Sequence, residues 1–384
     1  MRLIEPGLGL ILENMHSEGH TTWLEIDLGA IKNNTRELMR LSQRPLAAVV
    51  KANAYGHGVV RAAQAASQGG ASWLAVARFE EAKQLRSNWI MTDTLVMGYS
   101  PAEYAQEAAR ENIRLAVFDR DTAQAYSQSA SSVGMTVRVH VKVDTGMNRI
   151  GIRPEDGLEF VQWLHGLPGI QVEGVFTHFA RADEPEEQAT RDQIRSFDGL
   201  LDGLTQAGLR PSLAHASNSG AVFNFPSARY DLVRCGIALY GLHPSSQTLL
   251  PDSFRPALAL KTRLTAIKEL PAGAGVSYNH LYTTQKRERI GTLAIGYADG
   301  LRRIRGNVVL IRGKEAPVVG AVCMDQCMVQ LDGIPEAQTG DEVVVIGQQS
   351  DLMRSAEQVA RVWGTINYEV TCGMAERLPR VFFS

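Results

Sequence analysis

Short apolar runs recur along the first two thirds of the chain, and stretches with helical spacing separate them. The run Leu46-Ala47-Ala48-Val49-Val50 ends on Lys51 and then turns through Gly56 and Gly58. An apolar run of this length between turn residues predicts a strand covered on both faces, the usual state of a strand in a parallel sheet. Similar runs predict strands near 73–77, 94–98, 114–118, 137–143, 172–178, 212–217 and 231–235. Between them Leu158, Val161 and Leu164, and then Ile194, Phe197, Leu201 and Leu204, recur at the spacing of one helix face. With the Lys51 strand the count is eight, so the expected fold is α/β, a TIM-type (β/α)8 barrel. A doubly wound sheet of six strands is the competing count. No Gly-x-Gly-x-x-Gly follows the first strand, which removes the dinucleotide fingerprint.

Two regions depart from this rhythm. Ahead of it, Thr22-Trp23-Leu24-Glu25-Ile26-Asp27 alternates like a half-buried strand, with a helix expected through Leu38. Beyond Pro256, short β-rich runs at 258–267, 290–295, 308–311, 318–322 and 343–346 are separated by Gly, Pro and Asp, with one helix at 355–363. That texture predicts a mainly β C-terminal domain. The expected organisation is an N-terminal extension over 1–20, possessing no apparent order, a barrel over 21–250 and a β-rich domain over 251–384.

Composition narrows the function. The 384 residues carry 39 basic and 41 acidic side chains, a net charge of -2, with no basic stripe to track nucleic acid. A small-molecule substrate is expected. Cys235, Cys323, Cys327 and Cys372 show neither zinc spacing nor a secreted disulfide pattern, so no metal is expected. No apolar stretch is long enough to span a bilayer, and the run from Leu8 to Leu12 lacks the features of a signal peptide. Cytoplasmic residence is the expectation.

In TIM barrels the reactive groups lie at the C-terminal ends of the strands, often with a phosphate site after strands seven and eight. Those ends are Ser217-Asn218-Ser219-Gly220 and Arg234-Cys235-Gly236-Ile237. Amides and a hydroxyl there suit a phosphate, and Gly236 permits close backbone approach. A phosphate pocket on the same rim as the strand-end amine of Lys51 points to pyridoxal phosphate, a phosphorylated cofactor that condenses with amines. Taken singly, Lys51 reads first as a lysine reaching water and Asn-Ser-Gly first as a turn; their joint placement is what points to the cofactor. The strand at 137–143 is unusual: Val137, Val139, Val141 and Val143 share one face, which leaves Arg138, His140, Lys142 and Asp144 on the other, in need of partners. The turn that follows presents Arg149, a guanidinium suited to a carboxylate or phenolate; a structural ion-pair network is the alternative.

These residues lie in longer motifs: Val50-Lys51-Ala52-Asn53-Ala54-Tyr55-Gly56-His57-Gly58, Lys142-Val143-Asp144-Thr145-Gly146-Met147-Asn148-Arg149, Thr177-His178-Phe179-Ala180, Arg234-Cys235-Gly236-Ile237, Val276-Ser277-Tyr278, Met324-Asp325 and Asn367-Tyr368-Glu369. In this order they resemble the alanine racemases, fold-type III pyridoxal-phosphate enzymes, from Thr22 nearly to the end. The resemblance implies that Lys51 holds pyridoxal 5'-phosphate as a Schiff base and that Tyr55, Ser219, Gly236, Ile237 and Tyr368 hold its phosphate, with Asn218 beside them. It implies that Arg234 contacts the ring nitrogen, that His178 and His215 flank ring and arginine, and that Arg149 and Met324 face the substrate, with Lys142 and Asp325 in support. Lys142 matches a position often carbamylated in the family. Racemisation then uses two bases, Lys51 and Tyr278, the latter reaching the partner subunit's site in a head-to-tail homodimer, and supplies D-alanine for peptidoglycan. Serine or broad amino-acid racemisation is the nearest alternative, followed by a pyridoxal-phosphate carrier, which lacks the β domain, or a decarboxylase of related fold.

Overall fold

The computed structural model describes residues 19–384, so nearly all of the expected extension over 1–20 lies outside the described residues. Two compact units account for the described residues: Ala30–Arg255, and a second built from the described residues up to Gly29 together with Pro256–Ser384.

Strand β1 (Thr22–Asp27) opens the described chain. The next eight strands, β2 (Leu46–Val49), β3 (Trp73–Val76), β4 (Asp93–Val96), β5 (Ile113–Val117), β6 (Val137–Lys142), β7 (Ile170–Phe176), β8 (Leu213–His215) and β9 (Val233–Cys235), form one parallel sheet in the order β8-β7-β6-β5-β4-β3-β2-β9. Every strand predicted for the barrel is therefore present. Between the two end strands, β8 and β9, no ladder forms. Backbone bonds just beside them bridge the seam, Asp231 N to Ala214 O at 3.0 Å and Arg234 N to Ser217 O at 2.9 Å. Helices at Gly157–His165 and Gln188–Gln206 follow the two apolar spacings read from the sequence.

Strand β6 shows how the barrel sorts its side chains. Val137, Val139, Val141 and Val143 are fully buried on one face, yet His140 and Lys142 on the other are buried as well. In a closed barrel the inward face is as dry as the outward one. His140 therefore finds its partner inside the barrel, at His215 of β8.

The second unit continues with β10 (Leu258–Leu270), β11 (Gly275–Val276), β12 (Tyr282–Thr283), β13 (Glu288–Leu293), β14 (Val308–Ile311), β15 (Lys314–Val319), β16 (Cys327–Gln330), β17 (Glu342–Gln349), β18 (Leu352–Arg354) and β19 (Arg380–Phe383). Antiparallel pairings run β10-β13-β16-β15-β14-β17 and return to β10, so six strands close on themselves. The 13-residue β10 serves both neighbours by bending at two register shifts, between Leu260 and Lys261 and between Leu264 and Ala266. Closure leaves no edge among these six strands for another chain to pair with.

Two details differ from the sequence reading. Strand β1 falls within 21–250, the span that the apolar pattern assigns to the barrel, but it pairs antiparallel with β10 and parallel with β19. Its alternation specifies half-burial and leaves the pairing partner open. The run expected at 318–322 is the end of β15, because Gly320, at φ +71, breaks the strand.

Candidate active site

Strand β2 ends with Val49, and Val50 N still bonds Ala75 O at 2.9 Å. After Lys51 the backbone enters the left-handed region for four consecutive non-glycine residues, Ala52, Asn53, Ala54 and Tyr55, at φ 53, 52, 55 and 54. Each such residue costs about 1–2 kcal/mol, so the turn needs bracing. Glu81 supplies much of it: Oε1 accepts from Ala52 N at 2.6 Å, while Oε2 accepts from Ala77 N at 2.8 Å and Arg78 N at 3.1 Å. Asn53 Oδ1 accepts from Val59 N at 2.8 Å, and Ala54 N donates to Val50 O at 2.9 Å. Lys51 is thereby held half-buried at the strand end, and Tyr55 is buried with its ring 5.1 Å from that of Tyr240.

At the ends of β8 and β9, Asn218 caps the short helix Ser219–Asn224 through Oδ1, which accepts from Ala221 N at 3.0 Å. Buried Ser219 Oγ accepts from Gly236 N at 3.1 Å and Ala238 N at 3.4 Å, with Ile237 buried between them. A Cβ on Gly236 would lie 2.2 Å from Tyr55 Oη. Glycine is required there for closeness, since its φ of -106 is open to any residue. Tyr55, Ser219 and Gly236 thus meet, and a hydroxyl, a phenol and a run of amides gather where an anion is well received.

Arg234 lies in the layer beneath. Its NH1 donates to His215 Nδ1 at 2.7 Å, and NH2 donates to Thr177 O at 2.7 Å and Ala216 O at 3.0 Å, with His178 Nδ1 at 3.4 Å. Among the described residues no hydrogen bond engages its Nε–H, which leaves a charged donor for a ligand. Complete burial pulls Arg234 down to about 10, and it stays protonated at neutral pH. Burial, and then the charge of Arg234, hold His178 and His215 well below the ordinary histidine range, so both imidazoles are neutral.

Lys142 Nζ donates to Val143 O at 2.7 Å. Burial pulls its amine down to about 8, with Arg234 and Arg149 adding and Asp144 opposing. Asp144, read from the sequence as a polar residue in want of a partner, collects the backbone of the next turn: Oδ1 accepts from the amides of Gly146, Met147 and Asn148 at 3.0, 2.9 and 3.0 Å, and Oδ2 from Arg149 N at 3.1 Å. That turn sets Arg149 out as an exposed guanidinium.

In the second unit Tyr278 sits in the loop between β11 and β12, 67% exposed. Ser277, Asn279 and His280 around it have φ 62, 57 and 44. Ser277 Oγ fastens this loop to Ala321 O at 2.7 Å and touches Cys323 Sγ at 3.4 Å. An open cavity of about 780 Å³ is lined by Ser277, Tyr278, Asn279, His280, Cys323 and Gln326, among others. Met324 beside it is 54% exposed. Arg377 bridges Asp325 Oδ1 and Asp299 Oδ1, each at 2.8 Å, which pins the Met324-Asp325 turn. Tyr368 lies half-buried on the helix Asn367–Cys372.

Both halves of the chain match family models, described as the alanine racemase N-terminal domain over residues 26–244 and the alanine racemase C-terminal domain over 257–382. The chain belongs to the alanine racemase family. Among curated alanine racemases, that of Desulfovibrio desulfuricans is 42% identical over 372 residues, covering 96% of this chain and 100% of that one. That of Symbiobacterium thermophilum is 45% identical over 364 residues, covering 94% and 97%. The crystal structure of the Bacillus anthracis alanine racemase with bound L-Ala-P superposes with a TM-score of 0.90 at 41% identity, covering 95% of each chain. Alanine racemases are isomerases, and membership places the chain among them. No described helix is long and apolar enough to cross a membrane.

Four structural residues escaped the sequence reading: Glu81, Glu173, Arg114 and Arg377. Glu173 and Arg114 each left a signal, a lone charge in the apolar run of β7 and of β5.

Proposed function

We propose that the protein interconverts L-alanine and D-alanine with pyridoxal 5'-phosphate, by two bases, and supplies D-alanine for peptidoglycan in the cytoplasm. The observation that carries this reading is buried Arg234, with three acceptors behind it and an unengaged Nε–H, in the layer beneath the strand-end rim that holds Lys51 and the Ser219–Gly236 cradle. These residues fit the cofactor: the hydroxyls of Tyr55 and Ser219 and the amides of Gly236 and Ile237, with Asn218 adjacent and Tyr368, would hold its phosphate, and Arg234 its ring nitrogen. His178 would lie beside the ring.

When bound, pyridoxal phosphate supplies an electron sink for the pair left as the Cα–H bond of an amino acid breaks. Lys51 Nζ takes or returns the proton at Cα on one face. Tyr278 Oη, from the partner subunit of a head-to-tail homodimer, serves the opposite face. Its exposure on a strained loop suits a residue whose site is completed by a second copy. Arg149 holds the substrate carboxylate, and Met324 limits the room for its side chain. Arg234 keeps its own proton and can only donate, so it would hold the ring nitrogen without protonating it, which would favour return of the proton to Cα over transamination. Lys142, with its amine pulled down to about 8, would add as the neutral amine to carbon dioxide and release one proton to solvent; the carbamate would turn repulsion of Arg149 into attraction. His215 and Asp325 act through Arg234 and Arg377.

The test is incubation with pyridoxal phosphate in heavy water with L-alanine, L-serine or a bulkier amino acid, reading deuterium at Cα and product chirality. Deuterated D-alanine formed fastest supports the reading. Faster exchange of serine or of the bulkier substrate would replace alanine as the substrate, and cofactor binding with no Cα exchange would make the protein a carrier.

A further inference from the structure

Behind Arg234 a chain of hydrogen bonds crosses the inside of the barrel, and its direction is fixed by chemistry. A guanidinium can only donate. His215 Nδ1, at 2.7 Å from Arg234 NH1, must therefore be the bare nitrogen, with the ring proton on Nε2. That Nε2 meets His140 Nδ1 at 2.8 Å, so His140 accepts there and carries its own proton on Nε2. His140 Nε2 in turn faces Glu173 Oε2 at 3.3 Å. Glu173 receives Arg114 Nε at 2.7 Å on Oε2 and Arg114 NH2 at 3.1 Å on Oε1, and Arg114 NH1 ends the chain on Asp93 Oδ1 at 2.6 Å.

Both rings are 0% exposed, and neither has room to turn over. Phe176 lies flat against His215, with ring centroids 4.9 Å apart and planes within 8°. Gly174 makes space for His140, since a Cβ there would lie 2.4 Å from Nδ1. With the rings fixed, the one remaining freedom is which nitrogen of each carries the proton. If the far end offered no acceptor, His140 could move its proton to Nδ1, His215 would follow, and an N–H would then point at an N–H of Arg234.

We propose that Glu173 is a positioning residue for Arg234: as the terminal acceptor of a one-way chain through His140 and His215, it keeps His215 Nδ1 bare toward the guanidinium. Only the kinetic part of the test below rests on the racemase reading.

The first measurement is a long-range ¹H–¹⁵N correlation spectrum of ¹⁵N-histidine-labelled holoenzyme at neutral pH. Both rings should show Nε2–H with unprotonated Nδ1. A wild-type His215 with Nδ1–H, or an imidazolium there, overturns the proposal. Two variants then separate acceptor from bulk. Glu173→Met removes the acceptor and should replace the single His215 tautomer by a mixture, with an about tenfold rise in transamination per racemisation, the size expected for one lost charge-assisted hydrogen bond. Glu173→Gln keeps an acceptor oxygen and should recover most of both. A Met variant with unchanged tautomers and an unchanged ratio overturns the proposal. Should Glu173→Met fail to fold, the wild-type spectrum and the Gln variant decide. If the tautomers follow Glu173 while no amino acid exchanges at Cα, the racemase reading fails and the positioning role stands.

Discussion

Two turns present the side chains proposed as bases, and both hold non-glycine residues in the left-handed region. After Lys51 four such residues run in sequence, tied down by the Glu81 carboxylate, the Asn53 side-chain amide and the Val50 carbonyl, each accepting from a backbone N–H. Around Tyr278 three such residues flank an exposed phenol, fastened through Ser277 and by close backbone approach: a Cβ on Gly275 would lie 2.2 Å from His280 Cγ, and one on Gly320 would lie 2.7 Å from Val276 O. Strain of this kind persists only where the surroundings over-determine it. The first turn is built to hold something permanently within its own unit, whereas the second is rigid in its backbone yet leaves its side chain uncommitted.

Substituting each base separates the two roles most sharply. Lys51→Ala should abolish racemisation and release the cofactor on gel filtration, while Tyr278→Phe should retain it and slow racemisation about 10²- to 10⁴-fold, the range for a lost general base. The Phe variant should also show unequal Cα isotope effects in the two directions; equal effects would count against two bases. Next in size is Gly236→Ala. The new methyl cannot coexist with Tyr55 Oη at 2.2 Å, so the turn after Lys51 must shift, and overpacking of this sort costs about 1–3 kcal/mol. Cofactor affinity, measured by fluorescence titration, should fall, because Tyr55 Cζ as well as Oη stands in the way of the methyl; an unchanged affinity would show that the turn absorbs the methyl without disturbing the cradle.

Glu81→Ala probes the brace itself. Losing the carboxylate that accepts three amides should lower the urea-unfolding free energy by about 1.5–3 kcal/mol and speed amide exchange at 52–55, leaving exchange around Tyr278 unchanged. Uniform acceleration in both turns would erase the distinction between them. The smallest effect is a pH dependence confined to the barrel interior. Burial holds His140 and His215 below their usual range, so the unfolded chain binds more protons and stability, full above about pH 6.5, falls as the pH drops through that value. Glu173 adds a second loss: burial acts to raise it, but His140 and Arg114 bring it to about 2, so its contribution fades as the pH falls from 4.5 toward 2. A stability profile flat from pH 8 to about 5 would contradict the histidine assignment.

The barrel was legible because strands buried on both faces read as apolar runs, and Lys51, Arg234 and Gly236 stood at their ends. Glu81 was not, because an acid in the first turn of the helix Phe79–Ser87 has an ordinary purpose opposite the helix dipole, and its partner Ala52 is 29 residues away. Arg114 and Glu173, 59 residues apart, and Arg377 and Asp299, 78 apart, are joined only by the fold. Resemblance supplied the roles proposed for Tyr278 and Tyr368, which no periodicity would have singled out. Strand β1 shows the same limit, since alternation says how deeply a strand is buried and nothing of which strand lies beside it.

That strand also sets an order of events during synthesis. Thr22 bonds Thr262 across 240 residues, and Leu24 aligns with Arg380. A ribosome therefore delivers the whole of Ala30–Arg255 before the first strand meets either neighbour, and the barrel can fold while an unpaired alternating strand waits at its N-terminal end. Until then the strand has neither partner, and its docking is the step that a pulse of protease during translation would catch.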